Sequence, residues 1–215
     1  LHGVMTDLDA SPDIGAAIIS GSGRAFSAGG DIASFPAVAE TFETSSEHVD
    51  AVFRAFHAVE SCSVPVVAAI HGIAHGGGLE ITMACDMAIA STDATFAFRE
   101  ASLGLIPGFG ITRAPEKIGL QWTIRLASTA EEIDASTALD IGLVMEVVPP
   151  EELISSAHRL ASKIATNSRA AVMAIKRQTT RNSFDGIERA VDLTALTFQT
   201  DESREGIQKF LNRKR

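Results

Sequence analysis

Hydrophobic residues are arranged in two patterns along the chain, which predict strands mainly in its first half and helices towards its end. Short apolar runs between turn residues predict buried strands at 15–19, 64–70, 86–90, 95–98 and 143–148. Apolar residues at helical spacing predict helices at 1–8, 45–62, 79–85, 131–142, 150–166, 169–181, 184–200 and 201–211. The Gly- and Pro-rich segment 104–110 predicts a loop. We therefore expect an α/β core over residues 1–148 and a helical region over residues 149–215.

The composition narrows the possible partners of this fold. The chain has 18 Lys and Arg against 27 Asp and Glu, a net charge of −9, which argues against nucleic-acid binding. Residues 61–79 carry no charge, but proline, histidines and glycines interrupt them, so we predict no membrane span there. Cys62 and Cys85 have neither metal-binding spacing nor a disulfide framework. We expect a reducing compartment, the cytoplasm, with the mitochondrial matrix as an alternative.

The stretch from His71 to Glu80 carries the strongest chemical signal. Three consecutive glycines, residues 76–78, stand there between a predicted strand and a predicted helix. Glycine permits a sharp turn, and the first turn of a helix has unpaired N–H groups that stabilise an oxyanion. A second glycine-rich loop, residues 21–31, also follows a strand, and Glu100 lies beside an apolar segment. The combination predicts a pocket with N–H donors on one side and an acid–base pair on the other.

Other familiar motifs do not fit the chain. The run from His75 to Gly78, H-G-G-G, is similar to a lipase oxyanion loop, but no G-x-S-x-G nucleophile motif accompanies it. No dinucleotide-binding G-x-G-x-x-G and no P-loop occur. His71 and His75 are four residues apart, yet they precede the glycines without a nearby cysteine or an H-E-x-x-H pattern, so we predict no metal site. Taken singly, each glutamate also has an ordinary structural interpretation. An acidic residue such as Glu80 is typical of the first turn of a helix, and Glu100 is typical of an exposed residue after a strand.

Six segments of the chain resemble the enoyl-CoA hydratase/isomerase (crotonase) family, in the family's order. They are R-A-F-S-A-G-G-D (24–31), H-G-I-A-H-G-G-G-L-E (71–80), C-D (85–86), F-R-E (98–100), G-L-I-P-G (104–108) and A-L-D-I-G-L-V-M-E-V-V-P (138–149). The resemblance implies a crotonase-like spiral of repeated β-β-α units whose C-terminal helices assemble homotrimers, often paired as hexamers. From the residues alone, these helices could equally cover the core of their own subunit. The family begins with strands ahead of the helix at Leu1, so we expect those strands to be missing here.

The resemblance also implies how a CoA thioester is bound. The two oxyanion donors fall on the backbone N–H groups of Gly30 and Gly77. Ala28 matches a position whose carbonyl meets the adenine of CoA, and Arg24 matches a basic position near the nucleotide. Further substrate or CoA positions are Asp31, Ile32, Gly76, Gly108 and Phe109. No metal or cofactor is implied beyond the CoA moiety of the substrate.

The two glutamates of the family's hydratases match Glu80 and Glu100. Such a pair can hold one water, with one carboxylate accepting its proton and the other group protonating C2. The implied activity is therefore enoyl-CoA hydratase, the syn addition of water to a trans-2-enoyl-CoA. The alternatives are Δ3,Δ2-enoyl-CoA isomerase, whose members typically keep one of these glutamates, and a non-catalytic CoA-ester-binding scaffold.

Two departures from the family pattern bear on the site. Arg99 stands where many relatives have proline, and either an ion pair that lowers the pKa of Glu100 or simple exposure to solvent is expected. After Gly108, the run F-G-I-T-R-A-P differs from the usual G-G-T-Q-R-L, which leaves open the shape of the acyl pocket, and with it the length of the acyl chain and the reaction type.

Overall fold

The structure, a computed structural model, describes residues 1–179 and 187–212. The α-helices of these residues are α1 (His2–Ala10), α2 (Phe35–Val38), α3 (Phe42–Ser61), α4 (Gly77–Ala84), α5 (Gly108–Thr129), α6 (Ala135–Asp140), α7 (Leu153–Ala165), α8 (Arg169–Thr179), α9 (Ile187–Phe198) and α10 (Asp201–Asn212). The strands are β1 (Ala17–Ser20), β2 (Val66–Ile70), β3 (Ile73–His75), β4 (Met87–Ser91), β5 (Thr95–Ala97), β6 (Ile133–Asp134) and β7 (Glu146–Val148). Short 3₁₀ turns cover Ile32–Ser34, Glu100–Leu103 and Pro150–Glu152.

A parallel sheet with the strand order β1-β2-β4-β7 forms the centre of the molecule. All five residues of β2 are buried, as expected for a strand of a parallel sheet that is covered on both faces. One face packs on α7, through Val67, Ile89 and Leu153. A second sheet has the order β3-β5-β6, with β3 and β5 parallel and β5 and β6 antiparallel. The predicted α/β class with a helical C-terminal region is confirmed.

The loop after β1 is attached to the chain around β3 by a short ladder of backbone hydrogen bonds. Phe26 N–H donates to the His71 carbonyl at 2.9 Å, and Ser27 N–H donates to the Ile73 carbonyl at 3.0 Å. The N–H of His75 donates back to the Ser27 carbonyl at 3.0 Å. The ladder therefore brings the two glycine-rich segments, which are far apart in sequence, side by side.

The helices after α7 lie on the core of their own chain. Helix α9 packs along α3 and also contacts α5, while α10 contacts the 3₁₀ turn at Glu100–Leu103. Phe198 of α9 and Ile207 of α10 are both buried. Self-association through this region stays a prediction. No helix in the described residues is long and apolar enough to cross a membrane.

Several predicted elements have different boundaries in the structure. The predicted helix 131–142 is wrong in its first turn, because Ile133–Asp134 pairs with β5 and the helix begins only at Ala135. Asp134 is extended and its carboxylate caps the helix at the N–H of Thr137. The strand predicted over 143–148 is shortened to Glu146–Val148, where pairing with β4 begins.

The glycine-rich segments hold more regular structure than predicted. Strand β3 was not predicted, and α4 begins at Gly77 rather than at Leu79. The predicted loop over 104–110 ends at Pro107, because α5 begins at Gly108. The helices predicted over 169–181 and 184–200 are observed over Arg169–Thr179 and Ile187–Phe198. The second of these helices therefore ends two residues before the predicted end at 200, and the predicted residues at 180–181 and 184–186 lie outside the described residues.

Candidate active site

A cavity of about 400 Å³ lies where the two glycine-rich segments meet α3 and α9. Residues 27–30 and 76–77 line one part of it, together with the side chains of Glu80 and Glu100. Its remaining wall is mainly apolar. The predicted pocket, with backbone donors and two carboxyl groups, therefore corresponds to one cavity in the structure.

The two glycine turns approach each other too closely for side chains. Gly29 has φ +92°, and a Cβ there would lie 3.0 Å from the His75 carbonyl oxygen and 3.1 Å from the Gly77 nitrogen. Helix α4 begins at Gly77, so the Gly77 N–H has no acceptor within the helix, whereas the N–H groups of Leu79 and Glu80 donate to the Gly76 carbonyl. In the part of the chain that the structure describes, neither the Gly30 N–H nor the Gly77 N–H donates a hydrogen bond. Both glycines line the cavity.

Glu80 lies in the first turn of α4 and is 7% exposed. Its Oε1 accepts a hydrogen bond of 2.9 Å from the N–H of Gly110, in the first turn of α5. Burial raises the pKa of Glu80 to about 7, although the N–H groups of Gly110 and Phe109 lower it. The first turns of α4 and α5 therefore offset only part of the effect of burial on Glu80.

Glu100 begins the 3₁₀ turn after β5, where it is half-buried beside the glycine turn. A Cβ on Gly76 would lie 3.1 Å from Glu100 Oε1, and Oε2 has no hydrogen-bond partner among the described residues. Burial and the nearby charge of Glu80 raise the pKa of Glu100 to about 8. Near neutral pH this pair can hold one proton, so one member can accept a proton while the other donates one.

Arg99 has neither of its two predicted arrangements. Its guanidinium forms an ion pair with Glu132 at 2.8 Å and donates to the Ala130 carbonyl at 3.0 Å. It is therefore neither paired with Glu100 nor simply solvated. Burial and the Arg99 charge lower the pKa of His75, whose Nε2 is hydrogen-bonded to Thr95.

Among the described residues, no group of three His, Cys, Asp or Glu side chains could hold a metal ion.

Most residues predicted to contact the substrate or CoA line the cavity. These residues are Ala28, Gly30, Ile32, Gly76, Gly77 and Gly108. Three predicted side chains do not reach it. Arg24 is exposed outside the cavity, and Asp31 caps a 3₁₀ turn by accepting a hydrogen bond from the N–H of Ala33. Phe109 is fully buried behind the wall, because its ring packs edge-on against Phe53 and Phe56.

Sequence reasoning missed the side chains that complete the wall. The rings of Phe35, His48 and Phe198 pack together, with centroids 5.3–6.3 Å apart, and Thr194 lies one helical turn before Phe198. The helical spacing of Val52 and Phe56 indicated an apolar face on α3, but no local signal showed that α9 would meet this face. Only the packing of distant helices brings these residues to the cavity.

Fold and cavity together are typical of a class of acid–base enzymes that stabilise an oxyanion beside two carboxyl groups. The model of the family described as "Enoyl-CoA hydratase/isomerase" matches residues 1–215. The chain therefore belongs to the enoyl-CoA hydratase/isomerase family.

Similar proteins come from several organisms. The crotonyl-CoA hydratase of Syntrophomonas wolfei is 35% identical, over 98% of this chain and 83% of its own length. The short-chain-enoyl-CoA hydratase of Clostridium acetobutylicum is 38% identical, over 92% of this chain and 74% of its own length. The solved structure of an enoyl-CoA hydratase/isomerase from Mycobacterium paratuberculosis matches with a TM-score of 0.89 at 26% identity, over 97% of this chain and 85% of that one. These matches confirm the predicted crotonase-like fold class.

Proposed function

We propose that this protein is an enoyl-CoA hydratase, which adds water across the double bond of a trans-2-enoyl-CoA. The observation that carries the proposal is that two carboxyl groups, Glu80 and Glu100, line one cavity beside the two glycine turns. Burial raises the pKa of both groups, to about 7 and about 8. Two such groups in one cavity are what hydration needs, since water must lose one proton while C2 gains another. The activities named for the relatives support the same conclusion.

In this proposal the thioester oxygen accepts hydrogen bonds from the N–H groups of Gly30 and Gly77. As the water oxygen bonds to C3, the electron pair of the double bond moves onto the thioester and forms an enolate. The two N–H groups stabilise the developing negative charge more than they stabilise the neutral carbonyl, which accelerates the reaction. The enolate then collapses as C2 takes a proton.

The environments of the two carboxyl groups suggest their roles. The N–H groups of Gly110 and Phe109 lower the pKa of Glu80, whereas the charge of Glu80 raises the pKa of Glu100. We propose that ionised Glu80 takes the proton of the attacking water and that protonated Glu100 supplies the proton to C2. Both protons move on the side of the substrate that faces the glutamates, which gives syn addition. The reaction is not a redox step, and the two acids handle its protons, so we propose no cofactor beyond the CoA moiety of the substrate.

The test is the loss of the conjugated-thioester absorbance of crotonyl-CoA and of a longer trans-2-enoyl-CoA. Wild type, Glu80→Gln and Glu100→Gln are compared, with exposed Glu146→Gln as the control. We expect each active-site variant to lose at least 10²-fold in kcat, a typical contribution of a positioned acid or base, and the control to keep the wild-type rate. Turnover of neither substrate by wild type would overturn the proposal. Conversion of a 3-enoyl-CoA would then identify an isomerase, and tight binding without turnover would identify a scaffold.

We propose further that residues 1–148 form the catalytic core and that residues 149–215 contribute to a homotrimer or a pair of trimers. Exposed apolar side chains in the helical region, Ile154, Ile175 and Leu196, support this second point. The buried, free cysteines Cys62 and Cys85 agree with the proposed cytoplasmic location. Sedimentation velocity tests the assembly: a mass of three or six chains is expected, and a monomer at micromolar concentration would contradict it.

A further inference from the structure

The α3–α9 wall of the cavity is apolar except at two positions. We define this wall by Val49, Val52, Phe53 and Phe56 of α3 and by Phe198 of α9. The two polar side chains beside them that also line the cavity are His48 and Thr194. If this wall contacted only a hydrocarbon chain, both groups would lie without a hydrogen-bond partner beside apolar surface, which is energetically unfavourable.

Thr194 has a buried hydroxyl group with no partner. The residue is 7% exposed, and its Oγ1 is shielded from water without a hydrogen bond among the described residues. The hydroxyl packs on Gly108, where an added Cβ would collide with Oγ1. Gly108 begins α5, two residues before Gly110, whose N–H holds Glu80. The unpaired hydroxyl therefore lies beside the first turn of α5, the turn whose Gly110 N–H donates to Glu80.

His48 supplies a second hydrogen-bonding group on the same wall. Its ring packs edge-on against Phe35 and Phe198, at centroid distances of 6.1 and 6.3 Å. Burial lowers the pKa of His48, so its imidazole is neutral at physiological pH and offers one donor and one acceptor. No hydrogen bond to either ring nitrogen occurs in the described part of the chain. Phe198 follows Thr194 by four residues on α9, so the ring that His48 packs against lies about one helical turn from Thr194, and both polar residues line the cavity.

We propose that this cavity selects enoyl thioesters whose acyl chain carries a hydroxyl or carbonyl oxygen beyond C3, with Thr194 Oγ1 and His48 as hydrogen-bond partners of that oxygen. The inference rests on the proposed hydratase function and names its substrate class. A substrate oxygen would satisfy the buried hydroxyl of Thr194, whereas an unsubstituted chain would leave it unpaired. A site that is built to bond an oxygen discriminates strongly against the analogue that lacks it.

The experiment compares kcat/KM for trans-2-enoyl-CoA substrates of equal chain length. One member is unsubstituted, and the others carry a hydroxyl at C4, C5 or C6. We expect wild type to prefer at least one hydroxylated member by about tenfold or more, the effect of one additional buried hydrogen bond. Thr194→Val should lower kcat/KM for that member about tenfold more than for the unsubstituted one. Thr194→Ser, which keeps the hydroxyl, should retain the preference.

Two further variants make the result interpretable. Thr197→Val is the matched control on α9, because its Oγ1 donates only to the Thr194 carbonyl, and it should leave the preference unchanged. His48→Phe keeps the ring packing and does not change the contact between Thr194 and Gly108. It therefore tests the contribution of this wall to the preference even where Thr194→Val fails to fold. Equal kcat/KM for all members with wild type would overturn the inference and leave the hydratase proposal intact. Turnover of no member would overturn the hydratase proposal and the inference with it.

Discussion

At the scale of single residues, the chemistry depends on two glutamates whose surroundings differ. Glu80 accepts an N–H bond from Gly110, while Glu100 Oε2 has no partner among the described residues and faces a like charge. The N–H bond favours the ionised form of Glu80, whereas the nearby like charge favours the protonated form of Glu100. Burial is the common cause that raises the pKa of both groups towards neutrality.

These raised pKa values predict how stability depends on pH. Above the usual carboxyl pKa the folded state keeps protons that the unfolded chain releases, so the free energy of unfolding falls as pH rises from about 5 to beyond 8. Glu100→Gln removes one buried acid and should raise Tm more at pH 9 than at pH 5.5, measured by circular dichroism melts. Exposed Glu146→Gln serves as the control and should show no such difference. The same Tm change for Glu100→Gln at both pH values would contradict this account.

At the scale of elements, an ion pair between α3 and α5 supports the site. Arg113 of α5 forms two hydrogen bonds with Glu60 of α3, at 2.5 and 2.9 Å, and its guanidinium lies 5.1 Å from the centre of the Phe109 ring. Burial alone would raise the pKa of Glu60, but hydrogen bonds from His57 and Arg113 keep it below the usual value. The ion pair attaches the first turns of α5 to α3. The Gly110 N–H, which lies in these turns, donates its hydrogen bond to Glu80.

Removal of the cation should therefore destabilise the protein strongly. Arg113→Met leaves the Glu60 carboxylate buried without its main partner, and we expect a loss of about 3–5 kcal/mol in the free energy of unfolding. The Arg113→Met, Glu60→Gln double variant should recover a large part of it. Urea unfolding measures both values. Arg54→Met breaks the exposed pair with Asp50 and should cause no measurable change. An Arg113→Met variant as stable as Arg54→Met would contradict this role.

At the scale of the whole molecule, a buried lysine connects the helical region to the sheet. Lys176 of α8 donates to Asp86 Oδ2 at 2.7 Å, next to the start of β4, and to the Val64 carbonyl at 3.1 Å. Its side chain is 5% exposed. Together with the packing of α9 on α3, this contact joins the helical region to the core.

We therefore expect a single unfolding transition, with Trp122 fluorescence on α5 and far-ultraviolet circular dichroism changing together. Lys176→Met leaves Asp86 without its ion pair and should lower Tm by roughly 6–20 °C for a chain of this size. Exposed Lys163→Met on α7 is the matched control and should leave Tm unchanged. Two separate transitions in wild type would show that the region unfolds independently.

Local features of the sequence were sufficient to predict the glycine turns and the two glutamates that line the cavity. The glycine run at 76–78 and the glycine-rich loop at 21–31 indicated backbone donors, because few other residues permit such close turns. The uncharged run before His71 predicted a buried strand, and the two glutamates indicated acid–base chemistry. All of these signals act within a few residues of the chain, so the α/β class and the chemical type of the cavity could be inferred without a structure.

Contacts between distant segments decided the rest. Ile133–Asp134 is a strand only because β5 lies beside it. Arg99 pairs with Glu132, which is distant in sequence, and not with the adjacent Glu100. Local spacing also contained no signal that α9 would bring Thr194 to Gly108. Pairing, burial and desolvation depend on the whole packed chain, whereas periodicity reports only which residues share one face of one element. The chemical groups of the cavity could therefore be identified from the sequence, but their partners and their protonation were determined by the tertiary structure.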